Sequence, residues 1–143
     1  MPYTYKYPRP MVTVDVALFS RDRKRILLIK RDREPFKGRW ALPGGFIGIK
    51  EELKDAAARE LQEETGVAGV ELRQVYTFDT LGRDPRGRVI TVAYSGVADP
   101  ESVEVRAASD AREVKWFDID NLPELTFDHG EIVRKAFAVG FRG

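Results

Sequence analysis

An α/β fold, with a mixed β-sheet between helices, is what this sequence predicts, and three observations predict it. Short apolar runs with two-residue alternation stand on both sides of a Gly- and Pro-free stretch from Glu51 to Thr65. That stretch is rich in Ala, Leu, Glu, Lys and Arg, which favour helix, and it stops at Gly66, where a C-terminus is expected. A second helical pattern, with its own start signal, lies near the end of the chain. At 143 residues the chain has the size of one ordinary domain, and residues 1–143 are read as one.

Each element has its own warrant. The chain starts MPYTYKYPRP, where Tyr3, Tyr5 and Tyr7 alternate like a short strand. Such an arm either crosses a partner copy in a homodimer or frays. Val12, Val14, Val16 and Leu18 alternate with Thr13, Asp15 and Ala17, and Ile26 to Ile29 forms a short buried run; the polar residues between make the two a hairpin. After the helix, Val70 to Phe78 and Arg88 to Val97 predict two more strands. In their connection Asp84, Pro85 and Gly87 suit the first, second and fourth places of a type I turn. Glu113 to Asp118 is a last strand, with Val114 and Trp116 on one face. Asp128 then caps a helix, with Glu131 in the capping-box place and Ile132, Val133, Ala136 and Phe137 as its apolar stripe. No repeat, low-complexity tract or linker interrupts the pattern, and the Pro123 region is a loop.

Composition narrows the function. The net charge is +1 with 33% charged residues well mixed, so neither a nucleic-acid stripe nor a polybasic membrane patch is expected. Apolar runs are far too short to span a membrane, and the start lacks the apolar core of a signal peptide, which predicts a cytoplasmic protein. Absence of cysteine removes disulfides, thiolate metal sites and a cysteine nucleophile. No serine sits in a G-x-S-x-G context.

The chemistry concentrates between Gly45 and Val67, GFIGIKEELKDAAARELQEETGV. On a helix, Glu60, Glu63 and Glu64 fan across about 100° of one side. Leu53, Ala56, Ala57 and Leu61 border that side and let the helix lie close to a sheet. Three carboxylates so placed repel unless a divalent cation, Arg59 or water compensates them. The plain alternative is a solvated acidic face laced by Arg59 with Glu63 and Asp55. Hard oxygen ligands on a rigid element suit Mg²⁺ or Mn²⁺, which bind through a few carboxylates plus substrate phosphates. A diphosphate is the natural complement. Upstream, Gly44 and Gly45 in the Leu42-Pro43-Gly44-Gly45 turn permit a close backbone approach.

This segment fits G-x5-E-x7-R-E-[apolar]-x-E-E-x-G-[apolar] at every specified position and resembles the Nudix box, here residues 45–67. The resemblance implies a Nudix-type α/β/α sandwich that hydrolyses a nucleoside diphosphate linked to another group. It implies metal ligation by the Gly44 carbonyl, Glu60 and Glu64. Glu63 would be a ligand or base, and Arg59 and Glu51 would orient the others. Outside the box, Tyr7-Pro8-Arg9-Pro10, Gly82 to Val89 and Phe127-Asp128-His129 resemble the ADP-ribose pyrophosphatase branch. The same features occur in repressors that pair an ADP-ribose-sensing Nudix-like domain with a winged-helix domain.

Substrate contacts are expected from Arg39, Phe78, Arg83, Arg86, Arg88 and His129. Each has a plainer alternative. The loop arginines could be merely solvated, His129 locally bonded at a helix start, and Phe78 or Trp40 core residues instead of an adenine stack. The general base is expected from Glu113, preferred over Asp110 just before the last strand, with Glu63 as competitor and a solvated strand-end charge as the alternative for Glu113. Three functions follow: hydrolysis of ADP-ribose to AMP and ribose 5-phosphate, a Nudix enzyme for another nucleotide, or a non-catalytic ADP-ribose-binding module. Retention of every box carboxylate favours an enzyme, as does the short stretch of six residues after Phe137, too little for a winged helix.

Overall fold

Residues 4–107 and 111–139 are described by the computed structural model. The elements run β1 Met11–Ser20, β2 Arg25–Arg31, β3 Trp40–Ala41, β4 Gly44–Phe46, α1 Leu53–Thr65, β5 Arg73–Phe78, β6 Val89–Ala98, β7 Ala111–Asp118 and α2 His129–Val139. They form the mixed sheet between two helices that the sequence predicts. The strand order is β3-β2-β1-β6-β5, with β4 added to β1 and β7 to β2. Only β1 and β6 run parallel, in register from Met11↔Val89 to Ser20↔Ala98, and the other pairings are antiparallel.

Strand alternation divides the core. Val14, Val16, Leu18, Leu27, Val92 and Tyr94 face α1, where Ala56, Ala57 and Leu61 meet them. Ala17, Phe19, Ile26, Leu28 and Ala93 face α2 and meet Ile132, Val133 and Ala136. Both sheet faces are therefore buried, and the alternation seen in the first strand separates two cores instead of core from solvent. The small Ala56 and Ala57 allow α1 to sit close to the sheet, as their size predicts.

One helix start and one helix cap differ from the sequence expectation, and one helix end agrees with it. Helix α1 begins at Leu53, not Glu51, because the Glu51 carboxylate turns back to accept from the Gly48 N–H at 2.8 Å and stays outside the helix. Gly66 ends the helix at φ 79, a left-handed conformation that favours glycine, and its N–H donates to the Gln62 carbonyl. Asp128 stands just before α2, yet its carboxylate binds Arg83 and its carbonyl, not its side chain, accepts from Glu131 and Ile132. Residues 4–10 form no strand, Tyr5 and Tyr7 are exposed, and Tyr3 and Asp110 lie outside the described residues. Among the described residues no helix is long and apolar enough to cross a membrane.

Candidate active site

One end of α1 presses against the Gly44-Gly45 turn, and the contact is tight enough to require both glycines. A Cβ on Gly44 would stand 2.2 Å from the Val14 carbonyl and 2.4 Å from Asp15 Oδ1, while one on Gly45 would stand 2.6 Å from Glu60 Oε1. The Gly44 N–H donates to Glu64 Oε1 at 2.8 Å. Thus the helix and the turn are held to each other by a carboxylate, not only by apolar packing.

Arg59 organises the outer part of the same surface. Its Nε donates to Glu51 at 2.6 Å, one terminal nitrogen to Glu60 at 2.9 Å and Glu63 at 3.1 Å, and the other to Glu51 at 2.9 Å and the Phe46 carbonyl at 3.2 Å. The Arg59 hydrogen bonds, with that from Gly48, hold the Glu51 carboxyl down at about 2. Glu64 is in a different setting. Burial, with the neighbouring Glu60 and Asp15 carboxylates, pushes its carboxyl well above the usual range despite the Gly44 N–H. Burial raises Glu60 as well, against the pull of Arg59.

The convergence of three carboxylates expected from helix spacing is narrower in three dimensions. Glu60 and Glu64 meet beside Gly45, whereas Glu63 is half exposed and spends its carboxylate on Arg59. Among the described residues no three acidic or histidine side chains form a closed metal cage. Two carboxylates kept together with raised pKa values, beside a glycine backbone that leaves room, still fit a hard divalent cation. Such an ion commonly takes one or two protein carboxylates and leaves its other positions to water and phosphate.

These groups line a cleft of about 290 Å³ with Ile29, Arg31, Gly44, Gly45, Glu60, Glu64 and Arg86 on its walls. A smaller recess of about 50 Å³ shares Arg31, Gly44, Gly45 and Arg86 and continues to Asp15, Arg83, Phe127 and His129. The larger cavity of about 600 Å³ near Gly69, Gly96 and Asp99 contains none of the box carboxylates, so the chemistry points to the smaller cleft.

The expected substrate contacts separate. Arg86 reaches the cleft, pairs with Asp84 at 2.7 Å and lies over the Phe46 and Phe127 rings. Arg83 lines the recess, but its side chain is 4% exposed and is taken by a two-pronged bond to Asp128. Arg88 is exposed and donates to the Asp79 carbonyl. The Arg39 side chain is exposed, and its carbonyl accepts from the Arg31 N–H. Phe78 packs against the α2-side core and meets the exposed Tyr76 ring, and Trp40 meets Phe117 edge-on in that core.

His129 is not locally bonded. Its Nδ1 accepts from the Leu42 N–H at 2.9 Å across 87 residues of sequence, and its Nε2 lies 3.4 Å from Asp15 Oδ1. Asp15 Oδ2 accepts from the Thr91 hydroxyl at 2.6 Å. Although burial works to raise it, these partners hold Asp15 below the ordinary aspartate value. Asp15 and Arg31 are the site residues that the sequence expectation omitted. The signal for Asp15 was its place on the same strand face as Ala17 and Phe19, which marks it as inward-facing.

Glu113 is not brought to the carboxylates. Val114 and Trp116 face α1, so alternation turns Glu113 to the α2 side, where it is 53% exposed and 4.0 Å from Lys30. Sequence placed it correctly opposite Val114, but the α1 helix lies on Val114's side of the sheet.

Comparison with known proteins places nearly the whole chain. A family model described as NUDIX domain matches residues 9–136. The chain is 42% identical to an ADP-ribose pyrophosphatase of Methanocaldococcus jannaschii over 90% of its own length and 73% of that protein's. Among solved structures it resembles the NUDIX domain of Shewanella oneidensis NrtR complexed with ADP ribose, at a TM-score of 0.82 and 32% identity over 94% of this chain and 91% of that one. It also resembles a bifunctional NMN adenylyltransferase/ADP ribose pyrophosphatase of Francisella tularensis complexed with AMP and Mn ion, at a TM-score of 0.81 and 31% identity, covering 94% of this chain and 43% of the other. With a family match over most of its length and a pyrophosphatase-like sequence, the chain belongs to the NUDIX domain family.

Proposed function

We propose that this protein is a metal-dependent hydrolase that cleaves ADP-ribose to AMP and ribose 5-phosphate. The observation that carries the reading is the cleft itself, in which Glu60 and Glu64 converge beside Gly45 on one wall and arginines occupy the other. The names of the similar proteins point to ADP-ribose as the compound. Glu60, Glu64 and the Gly44 carbonyl would hold Mg²⁺ or Mn²⁺, which when bound neutralises phosphate charge and lowers the pKa of an attacking water.

The protein's own groups do the rest. Burial raises Glu60 and Glu64, so these carboxylates would hold a cation more tightly as pH rises. Arg59, anchored by Glu51, fixes the Glu60 carboxylate and keeps Glu63 at the cleft's edge. Glu63 is the base candidate left on the α1 side once Glu113 is placed across the sheet, and it would take the proton of the attacking water. No covalent intermediate with the chain is required. The arginines of the opposite wall hold the substrate's charge in place, and the Tyr5 and Tyr7 arm would serve a homodimer, for which light scattering at micromolar concentration gives the mass.

Incubation with a panel of nucleoside diphosphate compounds and Mg²⁺, with products separated by chromatography, tests the substrate. AMP and ribose 5-phosphate from ADP-ribose are the expected products. Turnover confined to nucleoside triphosphates or dinucleotides would replace the substrate and keep the hydrolase. The likeness to the NrtR domain favours a second reading, a binding module. Tight ADP-ribose binding with no turnover of any compound would establish that one instead.

A further inference from the structure

We propose that Arg31, with Arg86 beside it, forms an anion receptor that grips phosphoryl oxygens of the bound compound without help from a metal ion. The inference deepens the diphosphate reading of the cleft and rests on it.

Arg31 ends β2, where the pairing with β7 shifts register between Lys30 and Arg31. Such an irregularity re-aims a side chain, and here Arg31 lines both the cleft and the recess. Its backbone is pinned on both sides, the N–H donating to Arg39 and the carbonyl accepting from Gly38, each at 2.8 Å. The side chain is pinned too. Nε donates to the Pro35 carbonyl at 2.8 Å, and the guanidinium lies 5.2 Å from the Phe127 ring. Phe127 itself is held at φ 53, a conformation costly for a bulky residue, and Phe36 meets it edge-on at 4.9 Å.

What this fixed guanidinium lacks is an ion-pair partner. Among the described residues no carboxylate forms a salt bridge with Arg31, and its two terminal nitrogens have no hydrogen-bond acceptor. Arg86 shares the Phe127 ring at 5.3 Å and repels Arg31. Arg86 has its own carboxylate in Asp84, and Arg83 has Asp128, so one positive charge on this wall is left over. Half-burial and the Arg86 charge push the Arg31 pKa down, and they outweigh the more distant pull of Glu64, Asp84 and Asp15, none of which is bonded to it. A half-buried cation kept beside a like charge is costly unless an anion completes it.

The geometry selects the anion's class. Two free terminal nitrogens of a planar guanidinium match two oxygens of one phosphoryl group. The same cleft is lined by Glu60 and Glu64 beside Gly44 and Gly45. A diphosphate can be held at one end by Arg31 and Arg86 and present its other end to the carboxylate wall.

Inorganic pyrophosphate titrated calorimetrically into the full chain in EDTA is the test, since no metal then contributes. Wild type should bind, Arg31→Gln should bind at least about tenfold more weakly, and Arg31→Lys should fall between, because it keeps the charge and loses the fork. The exposed Arg134→Gln serves as a control for net charge and should bind like wild type. Melting curves confirm that each variant is folded. If Arg31→Gln does not fold, Arg31→Lys must still bind several-fold more weakly than wild type. Equal affinity of wild type and the folded Arg31 variants, or no binding by wild type, overturns the receptor. ADP-ribose turnover in Mg²⁺, measured on the same wild-type sample, separates the two ideas. Arg31-dependent pyrophosphate binding without ADP-ribose turnover sinks the substrate and keeps the receptor, and turnover with Arg31-independent binding does the reverse.

Discussion

The two walls of the cleft are built by opposite rules. The acidic wall comes from one continuous stretch, Gly44 to Glu64, in which the turn and the last two turns of α1 bring their groups together. The arginine wall comes from the end of β2, the β5–β6 connection and the start of α2, which are far apart in the chain. Charges are also handled differently. On the acidic wall like charges are crowded and left incompletely balanced, with Arg59 serving three glutamates at once. Behind the arginine wall, in the buried part, the charge pairing is one to one, Arg83 with Asp128. Under the proposed function, a wall that would exchange a proton for a cation cannot be fully satisfied beforehand, whereas the scaffold behind it must be.

Substitutions that break the acidic wall should produce the largest change in activity. Glu60→Gln or Glu64→Gln should lower turnover by at least about a hundredfold, since even groups outside the ligand set cost about ten- to a hundredfold in metal sites. Near-normal rates at saturating Mg²⁺ would show that the carboxylate pair is not the metal site. Gly45→Ala is a subtler test of the same wall. Its Cβ would displace the Glu60 carboxylate, and a displacement of about 1 Å can cost about a hundredfold in rate. An unaltered rate would mean that the close approach has no part in catalysis.

The buried scaffold should answer in stability instead. Asp128→Ala strands the Arg83 guanidinium in a nearly closed setting, and removal of one partner from a buried pair costs about 3–5 kcal/mol. Denaturant unfolding within about 1 kcal/mol of wild type would show that water reaches Arg83 and that the pairing is not structural.

A pH series joins the two walls. Because burial raises Glu64, the folded protein keeps a proton there that the unfolded chain loses near the ordinary glutamate value of about 4.3. This contribution to stability is full below that value and declines as pH rises toward the folded pKa. In EDTA, Glu64→Gln should therefore melt near the wild-type temperature at pH 4 and above it at pH 8. Parallel curves would mean that Glu64 is solvated in the free protein.

The smallest effect belongs to Glu113. From the α2 side of the sheet it has no path to the carboxylate pair, and Glu113→Gln should change turnover by less than about twofold, within the neutral range of surface substitutions. A drop of a hundredfold would restore it as the base.

The sequence by itself determined the fold class, the helix and its end at Gly66, and the acidic wall, because each depends on groups within a few turns of one another. Periodicity and turn chemistry are local, and so is a box whose Arg59 reaches Glu51, Glu60 and Glu63 on the same segment. Tertiary structure alone decided the rest. It placed Asp15 under Gly44, aimed Arg31 into the cleft through a shift in strand register, and bound His129 to Leu42 across 87 positions. It also set α1 on the Val114 side of the sheet, which removed Glu113 from the site. The alternation of a strand says that two residues face opposite ways, but only the packed helix says which way is inward.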